Sequence, residues 1–308
     1  MFNWLKKSAT TTSAATADAT VQMAVDDDWV ANIATIRQRA PVFKKIQCIV
    51  LVASGKGGVG KSTTAANLAM ALADAGVRTG LLDADIYGPS VPTLFGLQGQ
   101  KVTSPDNKLM QPLSQHGVIL QSIGFLVDPG QASVWRGPMA SQALLQLLNE
   151  TLWPELDVLL IDMPPGTGDI QLTLSQKLPV TGAIVVTTPQ DLALADAQKA
   201  ITMFRQVQIP LLGLVENMSF YLCPTCGSHD DIFGTAGGLT LAERYQVPVL
   251  GQLPLQGAIR LQADTGVALT AGNSAVSALY QTISLALLTR LSGELPEQMP
   301  VEIIITDD

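Results

Sequence analysis

The chain has 308 residues, of which 47% are hydrophobic and 14% charged, so it can bury the core of one large domain or of two small ones. Its net charge of −8 and its pI of about 4.7 argue against nucleic acid and anionic membranes as partners. Aromatic residues make up only 5%, so the core volume has to come from aliphatic side chains, as in a parallel sheet covered by helices.

Cysteine content and hydropathy bear on the compartment. The three cysteines, Cys48, Cys223 and Cys226, are too few for a disulfide framework in a chain of this size. Cys48 lies in an apolar run, where a cysteine usually behaves as a small buried hydrophobe. No apolar run approaches the roughly 18 residues of a membrane span. We therefore expect a cytoplasmic protein that binds neither nucleic acid nor membrane.

The first residues lack a core pattern. An initial Met-Phe-Asn-Trp-Leu-Lys-Lys is followed by a tract of Ser, Thr and Ala. No apolar region follows the lysines, as a secretory signal requires, and the arginines of a mitochondrial transit peptide are missing. We expect a flexible tail over 1–27, then a short helix that Asp28 caps and that runs to about residue 39, with Trp29, Ile33 and Ile36 on one face.

A glycine-rich loop follows the first predicted strand, Ile46–Ala53, and precedes a helical pattern. The loop, Gly55-Lys56-Gly57-Gly58-Val59-Gly60-Lys61-Ser62-Thr63, matches G-x-x-x-x-G-K-[ST]. Backbone N–H groups in such a loop cradle nucleotide phosphates at the start of a helix. Lys61 is expected to reach the β- and γ-phosphates, and the Ser62 hydroxyl to bind Mg²⁺. The order of strand, loop and helix predicts a nucleotide site.

The loop contains a second lysine, Lys56, which an ordinary phosphate loop does not need. It is badly placed within its own loop to add to what Lys61 does. One use for it is to reach the nucleotide of a facing subunit, as an arginine finger does in trans. That use predicts a homodimer with nucleotide at the interface, whereas a solvated lysine beside the phosphates is the alternative.

Two aspartates follow the next strand, which is predicted over 79–82. Strand periodicity points Asp83 and Asp85 the same way, at the carboxyl end of the sheet where ligands bind in doubly wound folds. A carboxylate there can position the attacking water or a Mg²⁺-bound water. Both aspartates could instead be solvated turn residues, and Asp83 could serve as a structural cap.

Residues between this motif and the next predict mixed structure. Residues 97–117 are rich in Gly, Gln, Pro, Ser and Asn and indicate an irregular surface segment with a small hairpin. A strand is expected over 118–123. A helix with Pro138 in its first turn is expected to run to about residue 152, with Leu144, Leu145 and Leu148 directed inward.

A further strand, predicted over 157–163, ends in Asp162-Met163-Pro164-Pro165-Gly166-Thr167-Gly168-Asp169. An aspartate that closes an apolar strand is typical of the Walker B arrangement, in which it holds Mg²⁺ directly or through water. The Pro- and Gly-rich run after it is typical of a flexible loop beside the γ-phosphate, which is what a nucleotide switch requires. Asp162 is therefore predicted to be a Mg²⁺ ligand.

Three more strands are expected over 182–188, 211–215 and 249–253, with a helix after the first of them up to about residue 207. Asn217 follows the second of these strands. Its amide can pair with the N6 and N7 edge of adenine, or it can stabilise a turn. Pro254 and Leu255 follow the third strand and are expected to form another wall for the base.

Cys223 and Cys226 form a C-x-x-C pair, which supplies two thiolates to one metal or cluster edge. Half of a zinc ribbon is one interpretation, although the chain has no partner pair. A redox dithiol is another, although Pro224 and Gly227 indicate a knuckle loop and not the start of a helix. A third is a site completed across a two-fold axis, where two pairs give the four thiolates of an iron–sulfur cluster or zinc. His229 lies nearby and is interpreted as structural or solvated.

The end of the chain predicts a helix from about residue 272 to 291 and a short acidic tail over 295–308. The tail lacks the basic amphipathic character of a membrane anchor. The pattern as a whole favours one α/β domain over 46–294, with a mostly parallel sheet and helices on both faces.

These motifs together resemble the Mrp (ApbC) family of iron–sulfur cluster carrier ATPases, within the deviant Walker A group of P-loop NTPases that includes MinD, ParA and the nitrogenase iron protein. The resemblance covers the chain from about residue 29 to its end. It rests on the glycine-rich loop and on four further blocks: Leu82-Asp83-Ala84-Asp85-Ile86-Tyr87-Gly88-Pro89-Ser90, Trp135-Arg136-Gly137-Pro138-Met139, Asp162 to Asp169, and Glu216-Asn217-Met218-Ser219 before the two cysteines.

The resemblance implies roles for single residues. Lys56 corresponds to the signature lysine, Asp85 to the switch I aspartate and Asp162 to the start of switch II. Together with Lys61, the first two are expected to carry catalysis. Two Cys pairs in a homodimer are expected to bridge a [4Fe–4S] cluster, received from scaffold proteins and passed to apo-proteins in a process coupled to ATP hydrolysis.

One departure from the family concerns the N-terminus. Many bacterial members have a small domain of about a hundred residues before the ATPase, whereas about 45 residues precede the first strand here. Residues 28–45 are interpreted as a remnant of that domain. Two other functions stay open: an ATP-driven positioning or partition protein of the MinD/ParA type, and a dimer with a structural zinc site.

Overall fold

A mostly parallel sheet of eight strands organises the molecule. The computed structural model describes residues 28–105, 108–127, 137–223, 225–267 and 275–293. Both predicted tails, the pair Trp135-Arg136 and Pro224 lie outside the described residues. The expected α/β architecture, with helices on both faces of the sheet, is confirmed.

The sheet places the first strand at its centre. The strands are β1 (Ile46–Ala53), β2 (Thr79–Asp83), β3 (Leu113–Gln115), β4 (Val118–Ser122), β5 (Leu156–Asp162), β6 (Gly182–Thr187), β7 (Leu211–Glu216) and β10 (Val249–Gln252). Their order across the sheet is β10-β7-β6-β1-β5-β2-β4-β3, and the neighbours are parallel except for the antiparallel pair β3 and β4. A separate antiparallel hairpin consists of β8 (Tyr221–Leu222) and β9 (His229–Asp230).

Helices connect most of the strands. They are α1 (28–37), α2 (Lys61–Asp74), α3 (Val91–Leu94), α4 (Gly137–Glu150), α5 (Asp169–Lys177), α6 (Asp191–Gln206), α7 (Gly237–Arg244), α8 (Gly257–Thr265) and α9 (Ala275–Ser292). No helix within the described ranges combines the length and the apolar character needed to cross a membrane.

Successive strand residues face two different apolar cores. In β1, Val50 and Val52 belong to the first core, while Ile49 and Leu51 belong to the second. The first core contains residues of α1, α2 and α9, and the second contains residues of α4 and α6. Because both faces of the sheet are covered, its central strands are continuous apolar runs, as the sequence predicts.

Strand ends differ slightly from the predicted ones, in two directions. β2 and β7 each continue one residue farther, so that Asp83 and Glu216 close a strand. β4 ends at Ser122, one residue early, because the Ser122 hydroxyl accepts a hydrogen bond from the N–H of Gly124 and caps a short 3-10 helix. The small hairpin predicted within 97–117 is shifted along the chain, since β3 pairs with β4 itself at the edge of the sheet.

The helix after Gly137 is shorter than predicted. It ends at Glu150 because the N–H of Leu152 donates to the carbonyl of Met110 and not to its own helix. Leu144 and Leu148 are buried, as expected. Leu145 is only half-buried and packs at the margin of the second core, so the inward direction predicted for it is wrong in part.

Helix α1 packs directly on one face of the sheet. Its predicted apolar face, Trp29, Ile33 and Ile36, is buried in the first core. Two arginines fix its end: Arg37 forms an ion pair of 2.8 Å with the buried carboxylate of Asp157, and Arg39 donates to the last carbonyls of α9. The segment 28–37 thus shares its core with the sheet.

Candidate functional site

The glycine-rich loop connects the central strand β1 to α2 and has the geometry of an anion site. Gly58 and Gly60 both have a φ of +82°, which a glycine adopts without strain. Helix α2 starts at Lys61, and no side chain caps its first N–H groups. Free N–H groups at the start of a fourteen-residue helix attract phosphate, both as donors and through the helix dipole.

Two glycines of the loop also lie close to neighbouring protein atoms, backbone for Gly55 and the end of a side chain for Gly60. A Cβ on Gly55 would lie 2.0 Å from the backbone carbon of Asp196 in α6. A Cβ on Gly60 would lie 2.2 Å from the amide nitrogen of Asn217. The loop therefore packs tightly against α6 on one side and against the residue after β7 on the other.

Lys61 and Asp162 meet at the carboxyl ends of β1 and β5. Their side chains are 6% and 0% exposed, and Lys61 Nζ lies 2.5 Å from Asp162 Oδ1. Lys61 Nζ also lies 3.1 Å from the Ser62 hydroxyl. The second carboxylate oxygen of Asp162 is buried and has no hydrogen-bond partner among the described residues. An orphaned carboxylate oxygen beside a serine hydroxyl fits a Mg²⁺ ion or one of its waters.

Asp83 is a structural acceptor. It lies opposite Asp162 in the register of β2 and β5 and is completely buried. Its carboxylate accepts from the N–H of Val91, the N–H of Asp85 and the Ser122 hydroxyl, at 3.0 to 3.1 Å. Burial, followed by the charge of Asp162, raises the pKa of Asp83 to about 7. The capping role left open above is supported, and the solvated-turn alternative is wrong for Asp83.

Asp85 is half-buried at the same end of the sheet. Burial raises the pKa of its carboxyl, the charge of Lys61 opposes that shift, and the charge of Asp162 adds to it. Lys61, Asp162 and Asp85 therefore interact electrostatically in one place. This is the grouping that the sequence predicts.

Lys56 is half-buried within the loop, and its carbonyl accepts from the Ser54 hydroxyl at 2.9 Å. No ion pair to its ammonium group is found within the described part of the chain. Its proposed reach into a partner subunit stays a prediction.

The segment after Asp162 is held at two points. The N–H of Gly166 donates to the carbonyl of Ser54 at 3.0 Å, which ties the segment to the end of β1. The Gln171 amide donates to the carbonyls of Pro165 at 2.6 Å and Pro164 at 3.3 Å, and this side chain is 6% exposed. Gln171 is a residue that sequence reasoning missed, because it lies in a helix outside the recognised loop pattern.

A cavity of about 210 Å³ opens beside the loop and is mostly apolar. Asn217 and Pro254 line it, as predicted, together with Gly60. The Asn217 amide donates to the carbonyl of Val59 at 2.9 Å, so the loop fixes its orientation. Thr63 of the predicted loop and Leu255, which was expected to form the wall together with Pro254, line it as well. Further residues of the wall were missed, since their shared location depends on the fold: Met218, Gln256, Ile259, Arg260 and Ala263.

Cys223 and Cys226 occupy the tip of the hairpin of β8 and β9. The N–H of Cys223 donates to the carbonyl of Ser228 at 2.9 Å, and the N–H of Gly227, with φ +71°, donates back to the carbonyl of Cys223 at 2.8 Å. The pKa of the Cys223 thiol is lowered because the backbone N–H groups of Cys226 and Thr225 donate to its sulfur. The predicted knuckle loop is thus confirmed, with Cys226 exposed.

Among the described residues, the two cysteines have no third ligand beside them. His229 stacks on Phe220, with 5.1 Å between ring centres, and its Nδ1 lies 3.5 Å from a carboxylate oxygen of Asp231. Across the described ranges, no three side chains of His, Cys, Asp or Glu are grouped so as to hold a metal ion. One chain therefore offers a pair of thiols, and Cys48 is separate, 1% exposed in β1.

Comparison with known proteins extends this geometry. Residues 45–288 match the family model described as ParA, NUBPL iron-transfer P-loop NTPase. The "iron-sulfur cluster carrier protein" of Escherichia coli K12 is 54% identical over 263 residues, which are 83% of this chain and 71% of that protein. The mouse "iron-sulfur cluster transfer protein NUBPL" is 51% identical over 220 residues, 71% of this chain and 69% of that protein.

Solved structures agree on the fold. A nucleotide-binding protein from Archaeoglobus fulgidus in complex with ADP superposes with a TM-score of 0.64 at 37% identity, over 78% of this chain and 91% of that chain. The cell division ATPase MinD of Pyrococcus furiosus gives a TM-score of 0.59 at 21% identity, over 79% and 98%, which supports the fold alone.

Proposed function

The chain belongs to the ParA/NUBPL family of iron-transfer P-loop NTPases, to which the iron–sulfur carriers of the Mrp (ApbC) type belong, and from this membership we propose that it carries an iron–sulfur cluster under the control of ATP. The observation that carries the proposal is the pair of thiols on the hairpin of β8 and β9. The base of this hairpin contacts the wall of the cavity beside the glycine-rich loop, which we call the nucleotide cavity. The carbonyl of Phe220 accepts from the N–H of Leu255, which lines that cavity.

The residues at the sheet edge suit ATP with Mg²⁺. The first N–H groups of α2 and the Lys61 ammonium would bind the phosphates, and Asn217 and Pro254 would enclose the base. Ser62 and the free oxygen of Asp162 would hold Mg²⁺, which neutralises charge on the β- and γ-phosphates.

Hydrolysis requires an oriented water and stabilisation of the developing charge. Asp85 would orient the water, because the carboxylate of Asp83 already accepts three hydrogen bonds. Lys61 stabilises charge from within the chain, and Lys56 of a partner would add a cation from outside. We expect slow turnover, as in other nucleotide switches.

The thiols call for a second copy of the chain. A cubane cluster takes four thiolates, and Cys223 with Cys226 supplies two. A two-fold axis at the hairpin tips would complete the set, so we propose a homodimer with a [4Fe–4S] cluster as cargo. Its partners would be cytoplasmic scaffold proteins that supply the cluster and apo-proteins that receive it.

The alternatives make different use of the same parts. A positioning ATPase of the MinD type needs the fold and the nucleotide site but no thiol pair, whereas here Cys226 is exposed and the pKa of the half-buried Cys223 is lowered. A structural zinc site would use the same four thiolates. Metal analysis separates the zinc site from the proposed cluster, because a cluster contains inorganic sulfide in addition to iron.

Anaerobic reconstitution tests the proposal. The wild-type chain is expected to bind about two iron atoms and two sulfides per chain, to dimerise, and to load an apo-protein that has a four-cysteine site. The Cys223→Ser, Cys226→Ser double variant is expected to bind none. Cys48→Ala is the matched control, since Cys48 is buried in β1, and it is expected to load normally.

Two outcomes would contradict the proposal. If the double variant still holds iron and sulfide, the cysteine assignment is wrong. If the wild-type dimer takes up zinc but no sulfide, the structural zinc reading replaces cluster carriage.

A further inference from the structure

Glu216, the last residue of β7, is a buried carboxylate. Its side chain is 0% exposed, and no ion pair to it is found within the described ranges. It accepts from the N–H of Gly238 at 2.6 Å, from the Gln252 amide at 2.6 Å, and from the Ser219 hydroxyl. The Gln252 amide also donates to the Ser219 hydroxyl at 2.8 Å. A buried charge is tolerated only when donors surround it in this way.

The donors come from three separate parts of the fold. Gly238 lies in the first turn of α7, whose dipole favours a carboxylate there. Gln252 is the last residue of β10. Ser219 lies in the segment that leads to the hairpin of β8 and β9, here called the cysteine hairpin. The Glu216 side chain thus joins α7, β10 and that segment to the end of β7.

One side of this junction is the nucleotide cavity. Asn217 and Met218, which line the cavity, directly follow Glu216. Met218 has a φ of +54°, a left-handed conformation that a methionine holds only when its neighbours impose it. The N–H of Leu253 donates to the carbonyl of Glu216 at 2.9 Å, which positions the next residues of the wall.

The other side of the junction is the base of the cysteine hairpin. The N–H of Ser219 donates to the carbonyl of Leu253 at 2.8 Å, and the N–H of Leu255 donates to the carbonyl of Phe220 at 2.7 Å. Tyr221 then forms a bridge to Leu255, a residue of the cavity wall. Cys223 follows two residues later, so the wall of the cavity and the base of the hairpin are one hydrogen-bonded unit.

We propose that Glu216 is a positioning residue that joins the nucleotide cavity to the cysteine hairpin, so that a nucleotide in the cavity steadies the hairpin. The proposal rests on the proposed function for the identity of the nucleotide. It concerns how the nucleotide cavity and the hairpin of β8 and β9 affect each other. Both are connected to Glu216 through the backbone segments that its carboxylate holds in place. By linkage, cargo on the thiols changes nucleotide affinity by the same factor as nucleotide changes cargo affinity.

The chemistry of this position explains why a carboxylate is required. Its two oxygens are acceptors only, and they face a backbone N–H, an amide NH₂ and a hydroxyl. Glu216→Gln keeps the size but turns an NH₂ group toward another donor. The substitution therefore breaks the junction without leaving a cavity.

Hydrogen exchange on the iron-free chain tests the proposal. Addition of ADP with Mg²⁺ is expected to slow amide exchange in residues 219–222 and 229–230 about fivefold or more, the lower range of measured site-to-site coupling. Residues 113–122, in β3 and β4 at the opposite edge of the sheet, are the internal reference and should not change. In Glu216→Gln, the effect on the hairpin is expected to fall below about twofold at saturating ADP.

Glu243→Gln is the matched control, since Glu243 is an exposed residue of α7. It should keep the full response. If Glu216→Gln does not fold, as judged by its thermal transition, Ser219→Ala removes one donor and is expected to lose at least half of the response.

Three results would overturn the proposal: an unchanged hairpin in wild-type chain that binds ADP, a full response in folded Glu216→Gln, or a chain that does not bind ADP. The last would also remove the nucleotide part of the proposed function. A clear response in a chain that assembles no cluster would leave this inference standing and refute cluster carriage.

Discussion

At the scale of single residues, Gln171 shows that a side chain outside every motif can fix how a motif is presented. Its amide donates to two successive carbonyls of the segment after Asp162, and the same segment is tied to β1 through Ser54. A loop rich in proline and glycine has few backbone donors of its own, because proline has no N–H. Gln171 compensates for this from the first turn of α5.

Replacing Gln171 is expected to affect turnover more than binding. Gln171→Glu places a carboxylate oxygen against the carbonyls of Pro164 and Pro165, and the repulsion should displace the segment. We expect kcat to fall by about tenfold, a change of about 1.4 kcal/mol in barrier height, while the dissociation constant of ADP changes less than about twofold.

Steady-state hydrolysis and ADP titration measure both quantities. Gln176→Glu makes the same substitution at an exposed position of the same helix and should leave both unchanged. Equal losses in kcat and in ADP affinity for Gln171→Glu would show that the residue supports binding in general and not the segment.

Some residues of the site could be predicted from sequence and others could not, for a physical reason. Lys61, Ser62 and Asp162 stand in fixed relation to a strand or helix end, so a local pattern identifies them. Glu216 and Gln171 act through contacts with elements that are remote in the chain or through atoms of the backbone. No local pattern contains that information.

At the scale of elements, the long apolar strands were predicted because burial on both faces leaves an unbroken hydrophobic run. Helices α3, α5, α7 and α8 were not predicted, because four to nine residues are too few to show helical periodicity. Helix α1 was predicted, but its attachment was not: an arginine that binds the last carbonyls of another helix cannot be recognised from its own neighbourhood.

The attachment of α1 leads to a prediction about stability and pH. Arg37→Ala removes one of two arginines from the buried carboxylate of Asp157, while Arg78 remains, 2.6 Å away. We expect a loss of about 1–2 kcal/mol in the free energy of unfolding at neutral pH, because Arg37 is partly exposed and the charge keeps one partner.

The pH dependence has a definite sign. Burial by itself raises the pKa of Asp157, but the hydrogen bonds from Arg37 and Arg78 outweigh it and hold that pKa below its ordinary value. Such a group stabilises the fold above the ordinary carboxyl range, and the contribution is lost as pH falls through the lowered pKa. The gap between wild type and Arg37→Ala should therefore close in acid.

Urea unfolding between neutral pH and acid measures that gap. Arg260→Ala is the comparison, since it breaks an exposed ion pair with Asp264, one turn farther along the same helix. It should lose less than about 0.5 kcal/mol in the free energy of unfolding. A gap for Arg37→Ala that is the same at every pH would contradict the electrostatic account and leave packing of α1 as its cause.

At the scale of the whole molecule, fold class and site location were predictable, because the motifs fall at the carboxyl ends of parallel strands. The strand order was not, since β5 and β6 flank β1 despite lying far from it in sequence. The hairpin of β8 and β9 is connected to the sheet region by a bridge between Tyr221 and Leu255. Local sequence patterns do not reveal this contact.

Lys56 allows a test of the assembly as a whole. If it acts on the nucleotide of the partner, Lys56→Ala should bind ATP but lose turnover by roughly 10³-fold, the lower end of what an arginine finger supplies. Lys61→Ala should lose turnover through weakened nucleotide binding. In a mixed dimer, the Lys61→Ala subunit would still offer Lys56 to the nucleotide of the other subunit.

An equimolar mixture of the two variants should therefore regain about a quarter of wild-type ATPase activity, since half of randomly formed dimers are mixed and each has one working site. Lys45→Ala, at an exposed position before β1, should behave as wild type throughout. A mixture no more active than its components would show that Lys56 does not act across an interface.

The packing around Gly55 and Gly60 bears on why the phosphate loop contains glycine at these positions. A side chain at Gly55 would collide with the backbone of α6, and one at Gly60 would displace the amide of Asn217. The constraint at Gly55 comes from backbone atoms, and Gly60 also has a φ of +82°, so a descendant of this fold that had lost its nucleotide would still need the two glycines. The spacing of these two glycines therefore reflects the packing of the fold. Within the motif, the lysines are the residues that indicate nucleotide chemistry.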